Sequence, residues 1–499
     1  MAAALKKAYH YMQRNGIKDT VYASMEQLMR NRVKYNYVRP SEEVLRAQSK
    51  KVFRRPILFS VIVPAYETDE KYLAEMIDSV LAQSYEHWEL IIADASKSDK
   101  VKKKTKEYKD IRIKYMHLHK NAGISANSNS ALQGAVGDYI GLLDHDDLLT
   151  PDALYENAVK IIEAKEAGKD YAFVYSDEDK CDSTGSKYFD PNIKPEFNLD
   201  LLLSNNYICH FLVMKAELMK KLQFRPDYDG AQDHDIVLRA YGLTSEKASD
   251  LTISYGHISK VLYHWRCHEG STASNPESKN YAYEAGRRAV ADYLAHAGVK
   301  AEVEHTKHKG FFRVEYKDTY QYPDKSKKKE IKDEITGSRR GEIAYNVFLN
   351  RYDVGAVGGP VFKGNKITGG IIDDSKTCPF DGLNRKFSGY LHRAVLQQTG
   401  YALDVRNMAL AEALIPCLIK TARIEEYRYL YNQDLINELD EQFKGEKIEE
   451  PFIDVKDYLA KGRFEDYEFL KTSISLGREI GFEGFKNYYD PMFYDEDER

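Results

Sequence analysis

Three carboxylates and a histidine crowd the end of an apolar run at Tyr139-Ile140-Gly141-Leu142-Leu143-Asp144-His145-Asp146-Asp147. A buried strand tolerates such a cluster only at its tip, where water or a cation offsets the packed negative charge. Oxygen ligands one residue apart suit Mg²⁺ or Mn²⁺, which keep waters and bridge to phosphate oxygens. Thr150-Pro151-Asp152 follows, so the same acids also fit a helix start. Two further acidic sets stand downstream: Asp177-Glu178-Asp179 after the strand-like Tyr171–Tyr175, and Asp233 with Asp235 at the polar start of a helical pattern.

The elements that would position these groups alternate. Leu58–Pro64 is a β-branched strand stopped by proline. Tyr72–Gln83 has helical spacing, with Leu73, Met76, Ile77, Val80 and Leu81 on one face. Trp88–Asp94 is a second strand, the lysine-rich 97–109 an exposed helix, and Ile111–Leu118 a third strand. Asn121–Ala135 is polar with small residues and leads into the strand at Tyr139. Strand-helix alternation predicts an α/β fold with a mostly parallel central sheet and right-handed crossovers. Ligands of such sheets lie beyond the carboxyl ends of the strands. Pro64-Ala65-Tyr66-Glu67, Asp94-Ala95-Ser96 and Asp144-His145-Asp146 are therefore expected in one crevice.

The composition excludes several classes. The 499 residues allow two or three domains, and a formal net charge of −5 argues against a general nucleic-acid binder. Five scattered cysteines, at 181, 209, 267, 378 and 417, form no C-x-x-C pair and predict a reducing, cytoplasmic setting. No signal-peptide core or membrane-length apolar run is visible. Residues 1–56 form a basic helical segment, with 13 Lys and Arg against 4 Asp and Glu. That bias suits peripheral contact with anionic lipid at the inner face of a membrane, or a solvated helical hairpin; the hairpin is favoured.

Ser60-Val61-Ile62-Val63-Pro64-Ala65-Tyr66, Ile91-Ile92-Ala93-Asp94, Asn121-Ala122-Gly123 with Asn129, and Leu143-Asp144-His145-Asp146 together resemble the nucleotide-sugar half of the family-2 glycosyltransferases. The ordered set carries the resemblance, which continues to about residue 300. It implies a GT-A fold and inversion at the anomeric centre. It makes Asp146 the direct ligand of Mn²⁺ or Mg²⁺, with Asp144 nearer the ribose or a metal water. Asp94 matches the position that binds the pyrimidine, although Asp94-Ala95-Ser96 is also turn chemistry. Pro64, Tyr66 and Glu67 would flank the base, and Asn121, Gly123 and Asn129 would line ribose and phosphates; Gly123 alone would be a plain turn glycine. Asp233 matches the acid of the family's Glu-Asp pair, with Gln232 in place of Glu, and would be the general base. Asp235 is the runner-up. Arg239 could reach phosphate or pair with a carboxylate. His264 or His268 could complete the metal shell. Asp177, Glu178, Asp179, Gln232, Trp265 and His268 would face the acceptor, the alternative for the acids being a solvated loop.

The expected layout is a catalytic domain over 57–316 (57–150 for the nucleotide sugar, 151–316 for the acceptor), a charged linker over 317–340, and a second α/β region over 341–499. In that last region Asp353–Phe362 and Ile367–Ile372 read as a strand hairpin, and the closing Tyr488–Tyr494 resembles the end of a family-2 unit. It is read as a truncated second module. The function that follows is metal-dependent transfer of a sugar from a UDP or dTDP donor to a hydroxyl of a growing polysaccharide or lipid-linked glycan. A catalytically inactive nucleotide-sugar or glycan-binding scaffold is the alternative. Nucleotidyl transfer is disfavoured, because no glycine- and arginine-rich loop follows Val63.

Overall fold

The computed structural model describes residues 35–245, 253–268, 280–317, 339–351, 354–372, 377–384, 396–403, 407–410 and 486–494, with scattered positions between 9 and 25. The chain divides into two compact units, one of residues 34–197 and 206–293, the other of 1–33, 198–205 and 294–499.

The first unit opens with an extended stretch and a short helix, α1 (Glu42–Ser49), capped by the Ser41 side chain. Then β1 (Phe59–Ala65), α2 (Glu70–Leu81), β2 (Trp88–Asp94), α3 (Lys100–Glu107), β3 (Ile113–His117), α4 (Ile124–Gly134) and β4 (Tyr139–Leu142) alternate. β1 pairs in parallel with β2 and β4, and β2 with β3. On α2 the stripe Leu73, Met76, Ile77 and Val80 is buried, each side chain contributing about 1.5–3 kcal/mol by leaving water. The polar stretch after Asn121 is itself a helix, α4. Its small Ser125, Ser128 and Ala131 let it bury flat, a signal that hydrophobic periodicity does not register.

The second half of the sheet is mixed. β5 (Leu148–Leu149), α5 (Ala153–Glu166), β6 (Asp170–Asp182) and β7 (Tyr188–Asn192) follow; the next helix, α6 (Leu199–Ser204), lies in the other unit. β8 (Leu212–Lys215), α7 (Ala216–Leu222), α8 (Gln232–Ser245), β9 (Ile253–Cys267) and α9 (Asn280–His296) continue the chain. The strand order is β3-β2-β1-β4-β8-β6-β9-β5, with β7 on β6. β8 runs antiparallel to β4 and β6, whereas β6 and β9 are parallel. Val61, Val63, Leu90, Ile92, Leu143 and Val213 belong to one continuous buried core, with no side chain above 1% exposure.

In the second unit β10 (Ala301–His305) and β11 (Phe312–Tyr316) form a hairpin. α10 (Arg339–Asn350), β12 (Val354–Gly358), β13 (Val361–Lys363), β14 (Lys366–Gly369), β15 (Ile371–Ile372), β16 (Gln398–Thr399), β17 (Ala402–Leu403), β18 (Met408–Leu410) and β19 (Lys486–Tyr489) follow. A small sheet has the order β16-β19-β12-β18, and β12–β19 is its parallel pair.

Two boundaries differ from the sequence reading. Residues 294–316 belong with the C-terminal unit, because Tyr316 packs on Tyr488 and Arg313 pairs with Asp490. The hairpin expected between 353–362 and 367–372 forms from β13 and β14 alone, and β12 joins the sheet instead. Among the described residues the C-terminal unit does not repeat the four-strand parallel run of the first. The charged stretch 318–338, most of the basic segment 1–34, Cys417 and the whole of 411–485 lie outside the described residues. No helix among the described residues is long and apolar enough to cross a membrane.

Candidate active site

Parallel pairing brings three strand ends side by side. The register sets Ala65 opposite Asp94, and β1 also pairs with β4, which stops two residues before Asp144. Glu67 adopts a left-handed backbone (φ 49) just past Pro64 and the 42%-exposed Tyr66. Its NH donates to Ser96 Oγ at 2.7 Å, and its carboxylate accepts from Lys97 N, Ser98 N and Ser98 Oγ at 2.7–3.0 Å. These bonds hold its carboxyl below the usual range. Glu67 therefore braces the β2 end. Asp94 is buried; Oδ1 accepts from Ser96 N at 2.9 Å and Oδ2 from Tyr115 OH at 2.8 Å. The turn chemistry accounts for one oxygen, and each keeps a lone pair.

Beyond β4 each acid has different neighbours. Asp147 is buried: Oδ2 accepts from Tyr263 OH at 2.6 Å and Oδ1 from Arg266 N at 2.7 Å. Asp146 Oδ2 meets His268 Nε2 at 2.8 Å, and its Oδ1 lies 3.7 Å from His145 Nδ1. Arg266, fully buried, donates through Nε to Asp146 O at 2.6 Å. The Asp144 carboxylate accepts no hydrogen bond among the described residues. Burial pushes it above the usual range; His210 and His145 oppose this, while Asp146 and Asp233 add to it. Ligand atoms of Asp144, Asp147 and His210 lie within 4.8 Å of one another. A half-buried, unbonded carboxylate among other acids fits a divalent cation, and this triad could hold one.

Asp233 sits in the first turn of α8, and Asn206 Nδ2 donates to its Oδ2 at 2.8 Å. Cys209, one residue before His210, also hydrogen-bonds Asp233, and burial first and then the Asp233 charge push its thiol well up. The His210 ring stacks on Tyr263 at 4.5 Å and 6°. Lys194 Nζ, fully buried, donates to Ile208 O at 2.9 Å and to His210 O, and pairs with Glu178. This fixes the backbone between Asn206 and β8.

Several expected ligands have other work. Arg239 uses Nε and Nη2 on Asp235 and Nη1 and Nη2 on the carbonyls of Leu222 and Gln223, so the carboxylate pairing holds and phosphate has no claim on it. Asp235, buried between Arg225 and Arg239, is an anchor and not a base. Asn129 exchanges both ends of its amide with Phe224 N and O at 2.8 Å. Asn121 Oδ1 accepts from Gly123 N and Asn127 Nδ2. Gly123 (φ +95) caps α4 where a Cβ would collide with the Asp229 carboxylate. Gln232 Oε1 turns back to Gly230 N at 2.9 Å.

The Asp177–Asp179 run is neither an acceptor wall nor a solvated loop but part of buried β6. Asp177 accepts from Lys194 N and pairs with His257, and Glu178 accepts from Asn192. Asp179 pairs with His264 Nδ1 and accepts from Tyr35 OH at 2.7 Å. His264, its ring against Tyr37 and Tyr188, thus serves that pair, and the histidine at Asp146 is His268. Trp265 is half-buried near His210, with Lys180 over its ring. Sequence reasoning did not single out His210, Asn206, Tyr263 or Arg266 for the site. The polar Asn205-Asn206-Tyr207 cluster ahead of an apolar strand was the visible signal.

Residues 60–223 match the family model described as "Glycosyl transferase family 2". The chain is 44% identical over 242 residues to an uncharacterized protein, y4gI, of Sinorhizobium fredii, covering 48% of this chain and 25% of that one. It is 34% identical over 254 residues to the O-antigen biosynthesis protein RfbC of Myxococcus xanthus, covering 50% and 19%. The chain thus spans a quarter or less of the length of these two relatives. Among solved structures, S. aureus TarS 1–349 in complex with UDP-GlcNAc matches at 22% identity over 48% of this chain and 66% of that one, with a TM-score of 0.37. The parallel strand ends and the acids beyond β4 agree with the match: residues 60–223 are a family-2 glycosyltransferase domain by that model.

Proposed function

We propose that this chain transfers a sugar from a UDP or dTDP donor to a hydroxyl of a growing polysaccharide or lipid-linked glycan, inverting the anomeric centre. The observation that carries the reading is the unbonded Asp144 carboxylate, flanked by Asp146 and Asp147 at the tip of β4 and within electrostatic reach of Asp233. Asp144, Asp147 and His210 would hold Mn²⁺ or Mg²⁺, which when bound neutralises the diphosphate leaving group. Asp146, fixed between His145 and His268, would act beside that ion.

The chain's own residues do the rest. Asp94 and the braced 65–67 turn offer a buried acceptor and a rigid rim for the base of the nucleotide. Asp233, at the start of α8, takes the proton of the acceptor hydroxyl on the face opposite the leaving group. Surface-glycan assembly as the setting is supported by the name of the O-antigen relative.

The test is thermal unfolding with nucleoside diphosphates and sugar nucleotides, with and without Mn²⁺, followed by nucleotide release. A ligand that binds the native state raises its stability with the logarithm of its saturation. A Mn²⁺-dependent shift with UDP or dTDP, and release of that nucleotide from one of its sugars, is expected. No shift with any nucleotide on folded protein would favour a glycan-binding scaffold.

A further inference from the structure

Asn206 lies against the candidate base, with Nδ2 2.8 Å from Asp233 Oδ2. An ionised carboxylate only accepts hydrogen bonds, so the amide must present its nitrogen to Asp233. That choice leaves Asn206 Oδ1 buried with no hydrogen-bond partner among the described residues. A buried acceptor left unpaired carries a desolvation cost with nothing in return. A leucine of similar shape would avoid the cost, so packing alone does not account for an amide here. The chain that follows it is held in place. Lys194 pins the carbonyls of Ile208 and His210, and Tyr207, the next residue, is buried edge-on against Tyr175.

We propose that Asn206 is a positioning residue for Asp233: beside the Cys209 thiol it ties down Oδ2, which turns Oδ1 toward the acceptor to receive its proton. This rests on the transferase reading above. In the step, the acceptor O–H bond breaks and its proton passes to Asp233 Oδ1, while the acceptor oxygen bonds to the anomeric carbon. The anomeric carbon–oxygen bond to phosphate breaks, and its electron pair leaves on the nucleoside diphosphate. Without the Asn206 donor the Asp233 carboxylate keeps the Cys209 thiol as a partner but loses the bond that fixes Oδ2, and near-attack geometry is loosened.

The comparison is between wild type, Asn206→Leu, Asn206→Ala and Asp233→Asn. The readout is release of UDP or dTDP from their sugars with Mn²⁺, water serving as acceptor, alongside the melting temperature. Asn206→Leu is expected to melt no lower than wild type, to keep the donor KM and the Mn²⁺-dependent nucleotide shift, and to lose kcat by about a hundred-fold. A merely structural role predicts the reverse, a lower melting temperature with normal kcat in the folded fraction. Should Asn206→Leu fail to fold, Asn206→Ala is judged by the same kcat-against-KM split below its own melting temperature. Wild-type kcat in a folded Asn206 variant, with Asp233→Asn inactive, overturns the positioning role alone. Full activity in Asp233→Asn, or a wild-type protein that releases no nucleotide, overturns the transferase reading and this inference with it.

Discussion

At the scale of single residues, the three acids beyond β4 are chemically equivalent in the sequence and different in the fold. Asp147 is satisfied by Tyr263 OH and Arg266 N and Asp146 by His268, whereas the Asp144 carboxylate accepts no hydrogen bond among the described residues. Removing this charge should relieve repulsion, so Asp144→Asn is expected to melt higher than wild type without metal. The same variant should lose the Mn²⁺-dependent shift, and a calorimetric scan with and without the ion checks both. Asp146→Ala is expected to abolish metal-dependent turnover while far-UV circular dichroism stays native; full turnover would remove Asp146 from the site. Glu67 supplies a pH test. Its folded pKa lies below the ordinary 4.5, so its bonds contribute stability above that value and lose it as pH falls through the folded value. Glu67→Gln should therefore show a shallower decline in melting temperature on the acid side.

At the scale of elements, α8 is held at its root by a buried ionic knot. Asp235, 1% exposed, takes Arg225 and Arg239, and Arg225 also reaches Asp292 at 2.6 Å. Breaking such a pair from one side costs about 3–5 kcal/mol, so Asp235→Ala should fall in urea midpoint by an amount in that range. Its nucleotide-induced shift should survive in the folded protein, which separates Asp235 from Asp233. Much of this layer was legible beforehand. Strand runs ending in Pro64, Asp94 and Asp144, and the stripe on α2, follow from β-branched content and spacing alone. The helix α4 was not, because Ser, Asn and Ala bury without an apolar period. Nor was the interior position of Asp177–Asp179, since three acids in a row read as facing an acceptor or solvent until Lys194, His257, His264 and Tyr35 arrive from distant stretches of chain.

At the scale of the whole molecule, the C-terminal unit takes residues 198–205 out of the middle of the first unit's sequence. Within that unit Asp200 pairs with Arg351, Asn198 donates to Thr399 O at 2.6 Å, and Ser204 donates to Gln397 O at 3.2 Å. Arg351 and Asp200 are both nearly buried, so Arg351→Met should destabilise this unit by about 3–5 kcal/mol. Adding Asp200→Leu should recover most of the loss, since two apolar groups replace the stranded charge; denaturant unfolding of the single and double variants measures it. A chain ending at 317 would lose Asp490, Tyr488 and Arg351 and is expected to be poorly soluble. That argues against treating 57–316 as an independent domain.

By itself the sequence determined what depends on local order: the β-α-β alternation, the strand ends where acids gather, and the helix start that bears Asp233. These are short-range consequences of side-chain type and spacing. Tertiary structure alone decided which oxygen of each acid is spent, that His268 and not His264 meets Asp146, and that Arg239 and Asn129 are braces. It also decided that Asn206 faces Asp233 and where the C-terminal unit begins. Those are pairings between residues up to about two hundred positions apart, most of them far apart in the chain, and a hydrogen bond is set by distance and angle in the folded chain.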